Sequence, residues 1–170
     1  MQKLAILVTR LSSWVLSKMG RGGSMPGRLG IKIAPDCLNH LKFSGPVILV
    51  TGTNGKTSTA NMVSDLMEEA GYKVVTNRKG DNLRVGITST LLSHCSLSGR
   101  VKADAAVLEV DELNMKYIVP ALPVTAIVVN NFFRDQLDRA GEMERIIDTI
   151  ESVLPDYQGD LILNLSLIHI

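Results

Sequence analysis

The sequence predicts an α/β fold: a mainly parallel sheet flanked by helices. Two observations carry this. Short apolar runs rich in β-branched residues near positions 47, 73, 105, 124 and 160 alternate with stretches of helical periodicity. One of these runs, Val47 to Val50, passes through a glycine-bearing turn, Gly52 to Lys56, into a helical pattern that opens at Thr57. Apolar residues at Ala60, Val63, Met67 and Ala70 mark the buried side of that helix. There is no internal repeat and no low-complexity segment.

Taken in order, residues 2–19 fit a helix with Leu4, Val8, Leu11, Val15 and Met19 at three- and four-residue steps. The apolar run Leu4 to Val8 is too short to span a membrane, and no small-residue cleavage site follows it. A helix packed on the domain or on a partner is favoured over one lying at a membrane surface with Lys3, Arg10 and Lys18 at the head groups. Gly20 to Gly30 reads as a flexible linker, and Pro35-Asp36 as a helix start leading to Leu38 and Leu41. Residues 1–42 thus form an amino-terminal helix and glycine-rich segment ahead of the first strand.

Gly71 stops the helix that follows the glycine turn, and Lys73 to Thr76 reads as the second strand. Loops after strand ends line the ligand crevice of an open parallel sheet. The polar loop Asn77 to Asn82 therefore offers Lys79, Asp81 and Asn82 as contacts, or is an ordinary solvated turn. A short helix is expected over Gly86 to Leu92, and His94 receives no role. Ala105 to Val110 is a strand with Glu109 inside it; a buried carboxylate is costly unless paired or on a metal, and a metal role is favoured over a solvated strand tip continued by Asp111 and Glu112. Val124 to Asn130 is the next strand, running into the polar block that begins at Asn131. Gly141-Glu142 opens a helix that Pro155 ends, with Met143, Ile146, Ile147, Ile150, Val153 and Leu154 on its apolar side. Asp160 to Asn164 begins a last strand.

Composition narrows the function. The 170 residues are 45% hydrophobic, enough for a core. A net charge of +1 gives no field that favours nucleic acid or an acidic membrane over the whole surface, and 4% aromatic residues argue against base-stacking platforms. Cys37 and Cys95 lack metal-ligand spacing and read as reduced cytosolic thiols.

The chemistry concentrates in Thr51-Gly52-Thr53-Asn54-Gly55-Lys56-Thr57-Ser58. Glycines let main chain approach an anion, and the N–H groups of a helix start point at it. Lys56 would reach the β- and γ-phosphates of a nucleotide and the Thr57 hydroxyl would hold Mg²⁺. The strict phosphate-loop pattern has a glycine where this chain has Val50.

That shortened turn, Glu109 in an apolar strand, and Asn131 four residues before Asp135 resemble the central ATPase domain of the Mur ligases. Gln136 stands where most of that superfamily has histidine. With Leu137-Asp138-Arg139 and Gly141-Glu142 it resembles the MurT branch, the ligase subunits of lipid II isoglutaminyl synthase. The Gly20–Gly30 stretch and Ile31 to Pro35 also look like the start of MurT proteins. Roughly residues 10–164 are covered.

The resemblance implies an incomplete Mur central domain over residues 43–164, with ATP and Mg²⁺ as cofactors. Gly52, Thr53, Asn54, Gly55, Lys56, Thr57, Ser58, Asn131, Asp135 and Gln136 would contact nucleotide. Lys56 and Glu109 would be catalytic, and Thr57 and Glu109 metal ligands. It implies amidation of the α-carboxyl of D-glutamate in the lipid II stem peptide through an acyl phosphate, with ammonia from the glutaminase GatD. The expected place is cytoplasmic, with association at the inner face of the membrane left open. The family's four-cysteine zinc ribbon and carboxy-terminal domain are not in this sequence, so the chain alone is expected to be inactive. Residues 165–170 look like foreign read-through. The alternatives are a Mur amino-acid ligase or folylpolyglutamate synthase, and a nucleotide-binding fragment with no chemistry of its own.

Overall fold

A computed structural model describes residues 1–20, 23–78, 81–131 and 140–164. Five strands, β1 (Val47–Thr51), β2 (Val74–Thr76), β3 (Ala105–Glu109), β4 (Ala126–Val129) and β5 (Asp160–Leu163), form one sheet in the order β2-β3-β1-β4-β5. Every pairing is parallel. The helices are α1 (Gln2–Lys18), α2 (Met25–Ile33), α3 (Lys56–Glu69), α4 (Arg84–Ser93), α5 (Met115–Ile118) and α6 (Ala140–Glu151).

The central strands β1 and β3 are covered on both faces, as a parallel sheet favours, while β5 at the edge is exposed along its whole length. Along β1, Val47 and Leu49 enter a large core with Ala106 and Leu108 of β3 and Ile127 of β4; Ile87, Leu91 and Leu92 of α4 and Ala5 and Ile6 of α1 complete it. Val50 and Val107 point the other way, with Ala60 of α3 and the partly buried Val63 and Met67. The period-two split sets the register: Val50 lies opposite Glu109 on one side and Val128 on the other. The carboxyl ends of the three central strands therefore finish level, beside the start of α3.

The amino-terminal region departs from its sequence reading. Residues 25–33 are not linker but helix α2, with Pro26 in its first turn, where a missing N–H is no loss. A Cβ at Gly27 would collide with the Val85 carbonyl of α4, so the glycine is there for close approach, not for flexibility. The helix expected from Pro35-Asp36 is a single tight turn, Cys37–His40. In α1 the inward residues are Ala5, Ile6 and Thr9. The stripe of Leu4, Leu11, Val15 and Met19 is exposed instead, because the helix turns the side carrying Ala5, Ile6 and Thr9 onto the core. No helix among the described residues is long and apolar enough to cross a membrane. The last six residues lie outside the described ones.

Candidate functional site

The glycine turn joins the central strand to α3. Gly52 has φ +124° and Gly55 φ +78°, values that side chains rarely adopt. At Gly52 a Cβ would also sit 2.9 Å from the N and O of Asn131, so only glycine fits between the two chain segments. Helix α3 opens one residue earlier than its sequence reading, at Lys56, and no side chain caps it. The first N–H groups of a helix have no acceptor within it, so those of Lys56, Thr57 and Ser58 face outward at the sheet edge.

Asn131 braces the turn. Thr53 N donates to Asn131 O (2.8 Å), Asn54 N to Asn131 Oδ1 (3.0 Å), and Asn131 Nδ2 to Asn54 O (3.2 Å). Asn130 adds a donation from Nδ2 to Thr59 Oγ1 (2.9 Å). Lys56 folds back: its Nζ donates to Gly52 O (2.6 Å) and Glu112 Oε1 (3.0 Å). Glu112 is only 7% exposed, so this ion pair is largely shielded from water.

Glu109 ends β3 and is 4% exposed. Its Oε2 accepts from Thr57 Oγ1 (2.7 Å) and its Oε1 from Asn82 Nδ2 (2.9 Å). Its main chain is clamped on both sides by Asn77, which donates to Glu109 O (2.8 Å) and accepts from Glu109 N (2.9 Å). The carboxylate is thus held by neutral donors, with the Thr57 hydroxyl beside it. Asp81 lies against Gly86, and burial pushes its carboxyl pKa up.

Gly52, Thr53, Asn54, Gly55, Lys56, Thr57, Ser58, Glu109, Asn131 and Asn82 therefore gather at one edge. Asp135, Gln136 and Lys79 lie outside the described residues. Sequence reasoning missed Glu112, Asn130 and Asn77. Glu112 passed as part of a solvated strand tip after Asp111; the signal was a second carboxylate so close to a buried strand. Among the described residues no three His, Cys, Asp or Glu side chains gather as a metal cage. The site offers oxygen donors for a hard cation and N–H groups and an ammonium for an anion.

A parallel sheet with an anion-ready turn at its central strand defines a nucleotide-type α/β domain, and comparison with known proteins specifies it. The Mur ligase middle domain matches residues 50–165, and the chain belongs to that family. Within it the chain is similar to lipid II isoglutaminyl synthase (glutamine-hydrolysing) subunit MurT. The Streptococcus pneumoniae protein is 36% identical over 88% of this chain and 34% of its own length. The Staphylococcus aureus protein is 30% identical over 96% of this chain and 37% of its own. The chain thus spans about a third of the length of these relatives. The fold matches MurF ligase from Thermotoga maritima in complex with ADP, with TM-score 0.59 at 20% identity over 82% of this chain and 30% of that one. It also matches MurF from Acinetobacter baumannii, with TM-score 0.62 at 19% identity over 80% and 30%.

Proposed function

We propose that the chain is the nucleotide-binding part of an ATP-dependent ligase of peptidoglycan synthesis, of the MurT kind. The observation that carries the reading is the Thr57–Glu109 pair beside an uncapped helix start and Lys56. The backbone of Gly52, Thr53, Asn54, Gly55 and Ser58 cradles phosphate, and Lys56 adds charge. Asn131 keeps the turn in shape. Asp135 and Gln136 join the nucleotide site on resemblance alone.

The donor set suits Mg²⁺, which takes one or two protein oxygens and completes its shell with water and phosphate. Thr57 and Glu109 would hold it, and the bound ion would supply neutralisation of phosphate charge. Because Glu109 is already oriented by Asn82 and Asn77, it need not reorganise to take up that role.

In the finer reading the α-carboxylate of D-glutamate in lipid II attacks the γ-phosphorus of ATP, and ADP leaves. Ammonia then adds to the acyl carbon, phosphate leaves and a proton is lost, giving D-isoglutamine. Like charges must meet in the first step, and Lys56 with the helix start offsets that repulsion. The relatives' names, a glutamine-hydrolysing synthase with a MurT subunit, support a glutaminase partner such as GatD supplying the ammonia. They also name lipid II, which supports a lipid-linked substrate; in this reading it is met at the inner face of the membrane. A chain spanning a third of its relatives favours a second reading for the isolated piece: nucleotide binding without turnover.

Two measurements test this. Calorimetry with a non-hydrolysable ATP analogue should give binding that Mg²⁺ strengthens and that Thr57→Val weakens at least tenfold in Mg²⁺; no binding sinks the nucleotide reading, and binding indifferent to Mg²⁺ removes the metal role of Thr57 and Glu109. The complete gene product with a glutaminase subunit, lipid II, glutamine and ATP should yield amidated lipid II. ATP binding without amide would leave the nucleotide site standing and remove the finer reading.

A further inference from the structure

The outer face of α1 is a feature that the site does not use. Leu4, Leu7, Leu11, Trp14, Val15 and Met19 line one side of the helix and are all exposed, Leu11 at 64% and Trp14 at 60%. The opposite side, through Ala5, Ile6 and Thr9, is sealed onto the core. The helix is therefore fixed in place with its apolar side outward. A contiguous face of this kind on a soluble domain marks a contact surface.

Charge says what the surface meets. The first 35 residues carry six Lys and Arg and no Asp or Glu, while the remaining 135 carry 12 against 17. A near-neutral chain thus has one cationic end. Lys3 and Arg10 flank the apolar side of α1, and the Lys18 ammonium sits 5.9 Å over the Trp14 ring. A second copy packed helix to helix would bring together two α1 segments that each carry cations and no carboxylate, which like charge opposes. An anionic bilayer surface satisfies both halves of the pattern: acyl chains take the leucines, head groups take the cations, and tryptophan sits at the boundary between them.

We propose that α1 is an interfacial helix that seats the protein on an anionic lipid surface, in the plane of the head groups. This does not rest on the nucleotide reading. It predicts where the protein stands, whatever the glycine turn binds.

Trp14 is the chain's single tryptophan and reports directly. The chain is mixed with vesicles of phosphatidylglycerol and phosphatidylcholine in equal parts, and with phosphatidylcholine alone. The expected result is a blue shift of Trp14 emission and co-sedimentation with the mixed vesicles, weaker at high salt and on the neutral ones. Leu7→Glu/Leu11→Glu should abolish binding while far-UV circular dichroism and nucleotide affinity stay as in the parent. Lys3→Gln/Arg10→Gln/Lys18→Gln should weaken partition by about fivefold per charge removed. No shift and no sedimentation overturns the proposal, as does binding that Leu7→Glu/Leu11→Glu leaves intact. Self-association lost in that variant, without vesicle binding, assigns the face to a second copy and overturns it equally.

Discussion

Thr57 Oγ1 lies 2.7 Å from Glu109 Oε2, joining the first turn of α3 to the end of β3 at one point. A hydroxyl and a carboxylate brought together by two elements 52 residues apart can share a cation without moving. Glu109→Gln keeps shape and most hydrogen bonds, so stability should change by about 1 kcal/mol or less. Nucleotide affinity in Mg²⁺ should fall at least tenfold while metal-free affinity holds. Equal losses under both conditions would make the carboxylate purely structural.

Lys56 and Glu112 are 14% and 9% exposed along their side chains. Removing one partner strands the other in a poorly solvated place. Lys56→Met should cost about 3 kcal/mol by urea unfolding. Lys56→Met/Glu112→Leu should regain most of that loss, yet neither variant should bind nucleotide. A single variant as stable as the parent would mean that water reaches the pair freely.

Gly52 and Gly71 both have positive φ, but only Gly52 is hemmed in by the main chain of Asn131. Gly71→Ala should cost about 1 kcal/mol, the conformational term alone. Gly52→Ala adds a collision with backbone that cannot swing aside, for about 3 kcal/mol or more, and nucleotide binding should go with it. Thermal melts of the two variants side by side check the difference.

Cys37 and Cys95 are both buried free thiols. Burial pushes the Cys95 pKa up to about 11 and that of Cys37 upward as well. The reactive thiolate is then scarce at neutral pH. Labelling by a disulfide reagent at mild pH should track unfolding and accelerate sharply in urea. Rapid labelling of the folded chain would contradict this packing.

Five parallel strands were legible because each is a short apolar run with polar or glycine punctuation, the kind of run that strands covered on both faces, such as β1 and β3, demand. The turn was legible because Gly-Lys-Thr after a strand has few other uses. The pairing of Lys56 with Glu112 was not, since spatial neighbours 56 residues apart leave no local trace. Helix α2 was hidden because glycine, a poor helix former, is present for the fit against α4 rather than for freedom. In α1 periodicity found an apolar side correctly but could not tell whether core or something else covers it. The inward side is held by Ala5, Ile6 and Thr9, of which only Ile6 is a large apolar residue.

The contact at Gly27 has a mechanical consequence. Where main chain rests on main chain there is no pliable group to absorb a push, so α2 and α4 move as one slab. Arg84, at the head of α4, is bolted to both Pro35 O (2.7 Å) and Asn114 Oδ1 (3.0 Å), and stands two positions beyond Asn82, which steadies Glu109. The amino-terminal layer and the rim where the glycine turn sits are thus joined by an unbroken run of direct contacts.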